Sequence, residues 1–219
     1  MFKQKINGFI DHTLLKPEAS SSQIESLCNE AIKYQFYAVC VNPVHVKFAS
    51  YHLEDTNIKV VSTVGFPLGA NTREIKFKEA DQVISHGADE IDMVLNISAL
   101  KDNQDKFVIE EIDTIVSNIP AGVLVKVIIE TCLLTDREKI KACELVKKGG
   151  AHYVKTSTGF NKAGASVEDV KLIKQCVKEE LGVKAAGGIR DHKKATEMIE
   201  AGATRIGASK SLQIMSNSN

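Results

Sequence analysis

The segment Glu90–Asn96, with the sequence EIDMVLN, decides the fold of this chain. Ile91, Met93 and Leu95 alternate with a second set of positions that includes Asp92. Successive side chains of a β-strand point to opposite faces, so the apolar set faces one way and Asp92 faces the other. A parallel strand covered on both faces is normally apolar throughout, and the carboxylate therefore marks one face as unusual.

Three later apolar runs repeat this alternation with lysines on the polar face. The runs are Leu124–Glu130, Tyr153–Ser157 and Val183–Ala186, and their lysines are Lys126, Lys155 and Lys184. The period of two predicts that Asp92 and the three lysines lie on the interior side of four successive strands. Their charges would then meet in one enclosed space.

The rest of the chain repeats one unit, a short apolar run followed by an amphipathic helical segment. Further strand-like runs are Phe9–His12, Tyr37–Asn42, Lys59–Val64 and Arg205–Ala208, and the predicted helix N-caps include Thr135, Ser166 and Asp191. About eight such units without a flexible linker predict one α/β domain over residues 1–219, a single (β/α)8 TIM barrel. An open, doubly wound sheet is the alternative, because local patterns do not reveal whether a sheet closes.

Composition argues against several classes of function. The 219 residues include 28 Lys and Arg against 28 Asp and Glu, so the chain has no net charge to attract nucleic acid. The chain has no apolar run of about 18 residues and no apolar segment at its start, so we expect no membrane contact and no export. The five cysteines are scattered and lack zinc-binding spacing, which indicates reduced thiols and a cytoplasmic protein.

No cofactor is expected from the motifs. The six histidines show no metal-binding spacing, and neither a dinucleotide fingerprint nor a Walker loop occurs. His12 follows Asp11 in the first run and is a weak candidate for an interior residue, while Cys40 is interpreted as a core thiol. The turn at Gly65–Gly69 is predicted to form part of the rim of a site.

The interior lysines have two interpretations. A tolerated ion pair would explain one lysine beside Asp92, since buried pairs need not be catalytic. Three lysines with one aspartate are harder to explain, because two ammonium groups about 5 Å apart repel by roughly 3 kcal/mol at an effective dielectric of about 20. That repulsion does not help folding, but it favours a neutral amine, the form that attacks a carbonyl. The cluster therefore predicts Schiff-base chemistry.

The four interior residues are given different roles. Lys155 lies in VKTSTG, where hydroxyls such as that of Thr158 can orient a substrate, and it is the predicted nucleophile. Lys184, one strand away, would supply the positive field that favours the neutral form of Lys155. Lys126 is interpreted as the partner of a carboxylate, and Asp92 is the candidate for moving protons.

The loops after the last two strands predict a phosphate site. Gly187 and Gly188 follow the seventh run, and Gly207 and Ser209 follow or end the eighth. Glycines let backbone N–H groups approach an anion, and barrels commonly bind phosphate in these two loops. The expected substrate is therefore a small sugar phosphate. Arg190 is either an anion contact or a surface residue, and the sequence leaves that open.

Five segments together resemble the signatures of the deoxyribose-phosphate aldolase family, which consists of Schiff-base-forming class I aldolases. The segments are Ile10–Pro17, Glu90–Val94, Lys126–Glu130, Val154–Phe160 and Val183–Ile189, and the similarity extends over about residues 7–210. The resemblance implies reversible, metal-free cleavage of 2-deoxy-D-ribose 5-phosphate to D-glyceraldehyde 3-phosphate and acetaldehyde, in the catabolism of deoxyribose phosphates. It also implies a homodimer or homotetramer.

The resemblance also implies a role for each site residue. These roles are Schiff-base lysine for Lys155, its charged neighbour for Lys184, proton-relay acid for Asp92, polar support for Asp11, and phosphate binding for Gly188, Gly207 and Ser209. The chain departs from the family pattern in two places: Gln213–Asn219 contains no tyrosine, and Asn161–Gly164 replaces a glycine- and threonine-rich stretch. A non-covalent sugar-phosphate isomerase and a catalytically silent metabolite-binding barrel are the alternatives.

Overall fold

The computed structural model describes residues 5–216, and within them eight parallel strands close into a barrel in which β8 pairs with β1. The strands are β1 Ile10–Leu14, β2 Ala38–Val41, β3 Lys59–Val64, β4 Glu90–Val94, β5 Leu124–Ile128, β6 Tyr153–Lys155, β7 Gly182–Ala186 and β8 Arg205–Ala208. The predicted TIM barrel is confirmed, and the open sheet is excluded. Both ends of the predicted 1–219 domain, residues 1–4 and 217–219, lie outside the described residues.

Helices follow the strands and surround the barrel. They are α1 Ser21–Tyr34, α2 Val46–Leu53, α3 Arg73–Ser85, α4 Ile97–Lys101, α5 Asp105–Val116, α6 Asp136–Lys148, α7 Val167–Val177, α8 His192–Glu200 and α9 Ser211–Ser216. The predicted N-caps are confirmed, since Thr135, Ser166 and Asp191 each accept a hydrogen bond from a backbone N–H in the first turn of the following helix. Each such cap stabilises its helix by about 1 kcal/mol.

The main apolar core lies between the strands and the helices. The outward-facing strand residues Ile91, Met93, Val125 and Val127 are fully buried there. Helix α1 contributes the apolar face Ile24–Ala31 through positions spaced three and four apart. Burial of a large aliphatic side chain contributes about 1.5–3 kcal/mol, so this layer supplies most of the stabilisation of the barrel.

The inside of the barrel is divided into an apolar side and a charged side. A small cluster that includes Ala38, Cys40 and Val61 fills the space beside β2 and β3. The opposite side carries charged groups. The strand register pairs Asp92 with Lys126 and Lys155 with Lys184, and the second pair lies two residues further along the strands, since Lys155 is opposite Ile128. Alternation along the strands thus places all four predicted residues in the interior.

Three strands end two residues earlier than the sequence pattern suggests. The predicted ends at Asn96, Glu130 and Ser157 lie two residues beyond the observed ends of β4, β5 and β6. Asn96 instead caps helix α4, and Glu130 adopts a left-handed backbone with φ of 50° that turns the chain out of the sheet. These early ends leave loops at the carboxyl-terminal mouth of the barrel. None of the helices within residues 5–216 is long and apolar enough to cross a membrane.

Candidate active site

A single carboxylate joins the three interior lysines. Lys126 Nζ donates to Asp92 Oδ1 at 2.9 Å. Lys155 Nζ and Lys184 Nζ both donate to Asp92 Oδ2, each at 2.7 Å. Because two ammonium groups share one oxygen, their nitrogens lie close to each other, as the sequence predicted for a cluster that favours a neutral amine.

The charges of the cluster control its ionisation. Burial would raise the pKa of Asp92, but the positive charges of Lys126, Lys155 and Lys184 outweigh burial and hold it well below its usual range. Burial would likewise lower the pKa of Lys184, but the carboxylates of Asp11 and Asp92 outweigh burial and raise it. Asp92 is therefore an anion and Lys184 a cation throughout the physiological range.

Three further charged groups lie deeper in the barrel. Lys184 Nζ is 2.5 Å from Asp11 Oδ2, and Arg205 donates to the other oxygen of Asp11 at 2.7 Å. Arg205 also forms a two-pronged pair with Glu90 at 3.2 and 3.0 Å. Lys126 Nζ is 2.6 Å from Glu90 Oε2, so the deep charges are continuous with those around Asp92.

The sequence-based count of three lysines against one aspartate was wrong. The interior holds three carboxylates, Asp11, Glu90 and Asp92, so most of the expected repulsion between lysines is offset. The sequence analysis missed Glu90 and Arg205 as interior groups. The signal was present, since Glu90 shares the parity of Asp92 on β4 and Arg205 shares the parity of Gly207 on β8.

A pocket of about 250 Å³ opens at the carboxyl-terminal mouth of the barrel. Of the three interior lysines, Lys155 lines this pocket, whereas the side chains of Lys126 and Lys184 are fully buried. The predicted phosphate-site residues Gly187, Gly188, Gly207 and Ser209 line it, together with Thr158 and Arg190. The structure therefore brings the candidate nucleophile and the candidate phosphate loops to one cavity.

Two glycines of the phosphate loops are favoured for different reasons, one by its backbone conformation and one by its neighbours. Gly188 has φ of +76° and no neighbour within 4 Å of a built Cβ, so strain rather than lack of space excludes other residues there. Gly207 is different, since a Cβ would lie 3.2 Å from Lys184 Cε and 3.0 Å from Ala186 Cβ. Gly207 therefore makes room for the Lys184 side chain as well as lining the pocket.

Thr158 is held by a buried carboxylate that the sequence analysis did not single out for a role. The Thr158 hydroxyl donates to Glu130 Oε2 in a short hydrogen bond, and the Thr158 N–H lies 3.3 Å from Glu130 Oε1. The hydroxyl also accepts from the N–H of Phe160 at 3.1 Å. Glu130 thus fixes the loop that follows Lys155. The side of Thr158 that does not contact Glu130 lines the pocket.

Three other sequence-based suggestions have different outcomes. His12 does not face the interior: it contacts Glu30 of α1 and Ser211 of α9, because it has the opposite parity to Asp11. Cys40 is fully buried in the apolar cluster inside the barrel, where burial raises the pKa of its thiol. Phe66 of the predicted rim turn meets Phe160 edge-on, with ring centroids 5.2 Å apart.

The two departures from the family pattern lie in different parts of the chain. Gly164 of the altered stretch packs against Gly187, where a Cβ at 164 would come within 2.2 Å of the Gly187 carbonyl oxygen. The altered stretch thus keeps a glycine at the position where it meets the phosphate loop. The chain end without a tyrosine reaches beyond Ser216, outside the described residues. Within residues 5–216, no group of three or more His, Cys, Asp or Glu is arranged to hold a metal ion.

A closed parallel barrel with a buried lysine cluster at the floor of a glycine-lined pocket is typical of aldolases that act through a lysine. The chain belongs to the DeoC/LacD family of aldolases, whose model matches residues 8–215. It is 63% identical over 210 residues to the deoxyribose-phosphate aldolase of Natranaerobius thermophilus, covering 96% of each chain.

Other relatives agree with this assignment. The chain is 55% identical over 214 residues to the deoxyribose-phosphate aldolase of Clostridium tetani, covering 98% of this chain and 99% of the relative. A tetrameric deoxyribose phosphate aldolase from Aeropyrum pernix superposes with a TM-score of 0.90 at 34% identity, over 96% of this chain and 89% of that one. The resemblance inferred from the motifs is thereby confirmed.

Proposed function

We propose that this aldolase cleaves 2-deoxy-D-ribose 5-phosphate reversibly to D-glyceraldehyde 3-phosphate and acetaldehyde through a Schiff base on Lys155. One observation carries the proposal. Lys155 is bonded to the Asp92 oxygen that it shares with Lys184, and it also lines the pocket that ends at Gly188 and Ser209. A carbonyl carbon held there has a nucleophilic amine beside it and an anion site at the far end of the cavity.

The covalent step begins with the neutral amine of Lys155. Its nitrogen attacks the C1 aldehyde of the open-chain sugar, and loss of water gives an iminium ion. As the C3 hydroxyl loses its proton, the C2–C3 bond breaks and its electron pair moves to the iminium, which becomes an enamine. D-glyceraldehyde 3-phosphate leaves, the enamine is protonated at C2, and water hydrolyses the new iminium to acetaldehyde and free Lys155.

Asp92 would act in this scheme as a relay rather than a proton store. Because three lysines hold the pKa of Asp92 well below its usual range, a proton taken from the C3 hydroxyl passes on to water. The same negative charge stabilises the iminium ion, which is cationic. Lys184 keeps a positive charge next to Lys155, and Lys126 and Asp11 support the two central groups.

The phosphate is assigned to the loops after β7 and β8. Gly187, Gly188 and Gly207 would offer backbone N–H groups, and Ser209 would offer a hydroxyl and its backbone. Arg190 lines the same cavity and would add a positive charge, which extends the sequence analysis, where its role was open. Thr158, fixed by Glu130, would contact the sugar between the two ends.

We further propose that the enzyme works in the cytoplasm as a homo-oligomer and requires no metal. The five cysteines are free thiols, which fits a reducing compartment. The Aeropyrum pernix relative is tetrameric, which favours a homotetramer over a dimer. Light scattering of the purified chain measures the assembly, and undiminished activity after EDTA treatment is expected. Inactivation by EDTA with recovery on adding a divalent ion would contradict the metal-free scheme.

Reductive trapping tests the Schiff base. Sodium borohydride added with deoxyribose 5-phosphate should fix substrate carbon on Lys155, located by peptide mass spectrometry. Lys155→Met should abolish both trapping and acetaldehyde release, a loss of about 10⁴-fold or more. Lys171→Met, at an exposed position of α7, is the matched control and should change neither.

The same experiment separates the alternatives. A non-covalent isomerase would turn over deoxyribose 5-phosphate with no adduct, and a silent binding barrel would bind it with no turnover to lose. Normal turnover without labelling of Lys155 would overturn the proposal.

A further inference from the structure

The charged groups inside the barrel form a closed ring, which we call the charge ring. Following the ion pairs in order, its members are Arg205, Asp11, Lys184, Asp92, Lys126 and Glu90, which returns to Arg205. Cations and anions alternate at every step, and each cation of the ring contacts two carboxylates. The ring is therefore electrically balanced by itself.

Lys155 stands outside this balance. Its Nζ contacts Asp92 Oδ2 at 2.7 Å, and within residues 5–216 this is its one ion pair. That oxygen already accepts a hydrogen bond from Lys184 at 2.7 Å. A proton on Lys155 consequently adds a seventh charge without a ring carboxylate of its own, and the ring together with Lys155 becomes net positive. The neutral amine leaves the interior balanced.

Arg205 and Glu90 close the ring without lining the pocket. Both are the first residues of their strands, at the amino-terminal end of the barrel, and neither lines the cavity. The Arg205 guanidinium lies over the ring of Tyr37 at 3.5 Å from its centroid, which fixes it in place. Burial would lower the pKa of Arg205, but Asp11 and Glu90 outweigh it and raise that pKa, so Arg205 stays charged.

We propose that Arg205 and Glu90 are positioning residues that set the proton occupancy of Lys155 by keeping the charge ring balanced. The inference rests on the proposed function, in which Lys155 is the nucleophile. Arg205 and Glu90 touch neither substrate nor Lys155. They act through Asp11, Lys184, Lys126 and Asp92, and their effect is electrostatic.

The other groups that face Lys155 are unchanged in the variants of Glu90 and Arg205 discussed below. They are Asp11 on β1, the thiol of Cys40 on β2, the uncharged Thr63 on β3, Asp92 on β4, Lys126 on β5, Lys184 on β7 and Gly207 on β8, with Glu130, Lys16 and Arg190 in the loops at the mouth. Glu130 is engaged by Thr158, and Lys16 and Arg190 are at the open end of the pocket. Changes at Glu90 and Arg205 therefore alter the ring alone.

Two charge-removing substitutions should move the pH profile in opposite directions. Glu90→Gln leaves the ring one unit positive, which disfavours a further proton on Lys155, so the acid limb of kcat/KM against pH should move down by about one pH unit. Arg205→Gln leaves the ring one unit negative, and the acid limb should move up by a similar amount. Glu90→Gln/Arg205→Gln restores the balance and should return the limb to its original position.

Conservative variants distinguish charge from packing. Arg205→Lys keeps the charge but loses the two-pronged contact with Glu90, so the limb should stay in place even where stability falls. Asp11→Asn removes a ring carboxylate on the other side of Arg205 and should act like Glu90→Gln, which keeps the test available if Glu90→Gln does not fold. Equal loss of activity at all pH values with an unmoved limb would overturn the proposal.

The outcome is separable from that of the proposed function. Borohydride trapping on Lys155 at alkaline pH, which favours the neutral form of an amine in every variant, should succeed in each of them. Trapping with limbs that fail to move in opposite directions contradicts the charge-ring proposal alone. Absence of trapping in the unaltered enzyme contradicts the Schiff base instead.

Discussion

Two buried charge systems in this protein behave in opposite ways. The charge ring with Lys155 lies inside the barrel, and a second system, the pair Lys76 and Glu111, lies between the barrel and helices α3 and α5. Both members of the pair are fully buried, with Nζ and Oε1 2.8 Å apart. Lys76 also donates to the carbonyl of Val94 at 2.9 Å, and Glu111 accepts from the N–H of Asn96 at 3.2 Å.

The isolated pair does not overcome its burial. Burial lowers the pKa of Lys76 despite the neighbouring carboxylate of Glu111, and burial raises the pKa of Glu111 despite Lys76. In the ring the opposite holds, since neighbouring charges outweigh burial for Asp92 and Lys184. Several opposite neighbours therefore favour the ionised form of a buried group, whereas for Lys76 and Glu111 the single partner does not offset the effect of burial.

The largest effect is expected at the centre of the ring. Asp92→Asn removes the carboxylate shared by three lysines and leaves their charges without compensation. We expect a loss of about 5 kcal/mol in the free energy of unfolding and of about 10³-fold in kcat/KM. Urea unfolding and an acetaldehyde-release assay measure the two. A stability change under about 1 kcal/mol would show that the ring is not held by this anion.

A smaller effect is expected for the isolated pair. Lys76→Met leaves Glu111 buried without its cation, which should cost about 3 kcal/mol of unfolding free energy. Kinetics measured on the folded fraction should change little, since Lys76 contacts no group of the pocket. Lys76→Met/Glu111→Gln should be more stable than Lys76→Met, because no uncompensated carboxylate remains. If the double variant is as unstable as the sum of its single changes, Lys76 and Glu111 do not stabilise each other.

The sequence indicated the ring only in part, and the reason lies in what alternation can reveal. Parity along β4, β5, β6 and β7 predicts that Asp92, Lys126, Lys155 and Lys184 face the interior, because the period of two is a local property. Parity does not reveal depth or closure. Glu90 and Arg205 begin their strands, where a charged residue usually meets solvent, and only the closed barrel brings these distant strands together.

The pocket was less predictable than the lysines for a related reason. The glycines of the loops after β7 and β8 follow from a rule about barrels, so Gly188 and Ser209 could be named in advance. The hydrogen bond between Thr158 and Glu130 depends on the left-handed backbone of Glu130, and a glutamate in the sequence does not predict that conformation. The pair of Lys76 and Glu111 was equally hidden, since each lies on an amphipathic helix where a charged residue normally faces water.

The smallest predicted effect is a difference between the two charge systems in how the free energy of unfolding depends on pH below neutrality. The pKa of Asp92 is lowered in the folded state, so its contribution to stability is present above its ordinary value of 3.8 and is lost only as the pH falls through the lower, folded value. The pKa of Glu111 is raised, so its ionised form disfavours folding, and protonation relieves this as the pH falls from the raised value towards 4.5. The unfolding free energy of the unaltered enzyme, measured in urea, should therefore rise relative to that of Glu111→Gln as the pH falls from 7 to about 4.5. Over the same range, the difference in unfolding free energy between the unaltered enzyme and Asp92→Asn should stay constant. If both gaps change with the same slope, a single buried partner and a ring of partners protect a charge equally well, and the distinction between the two regions fails.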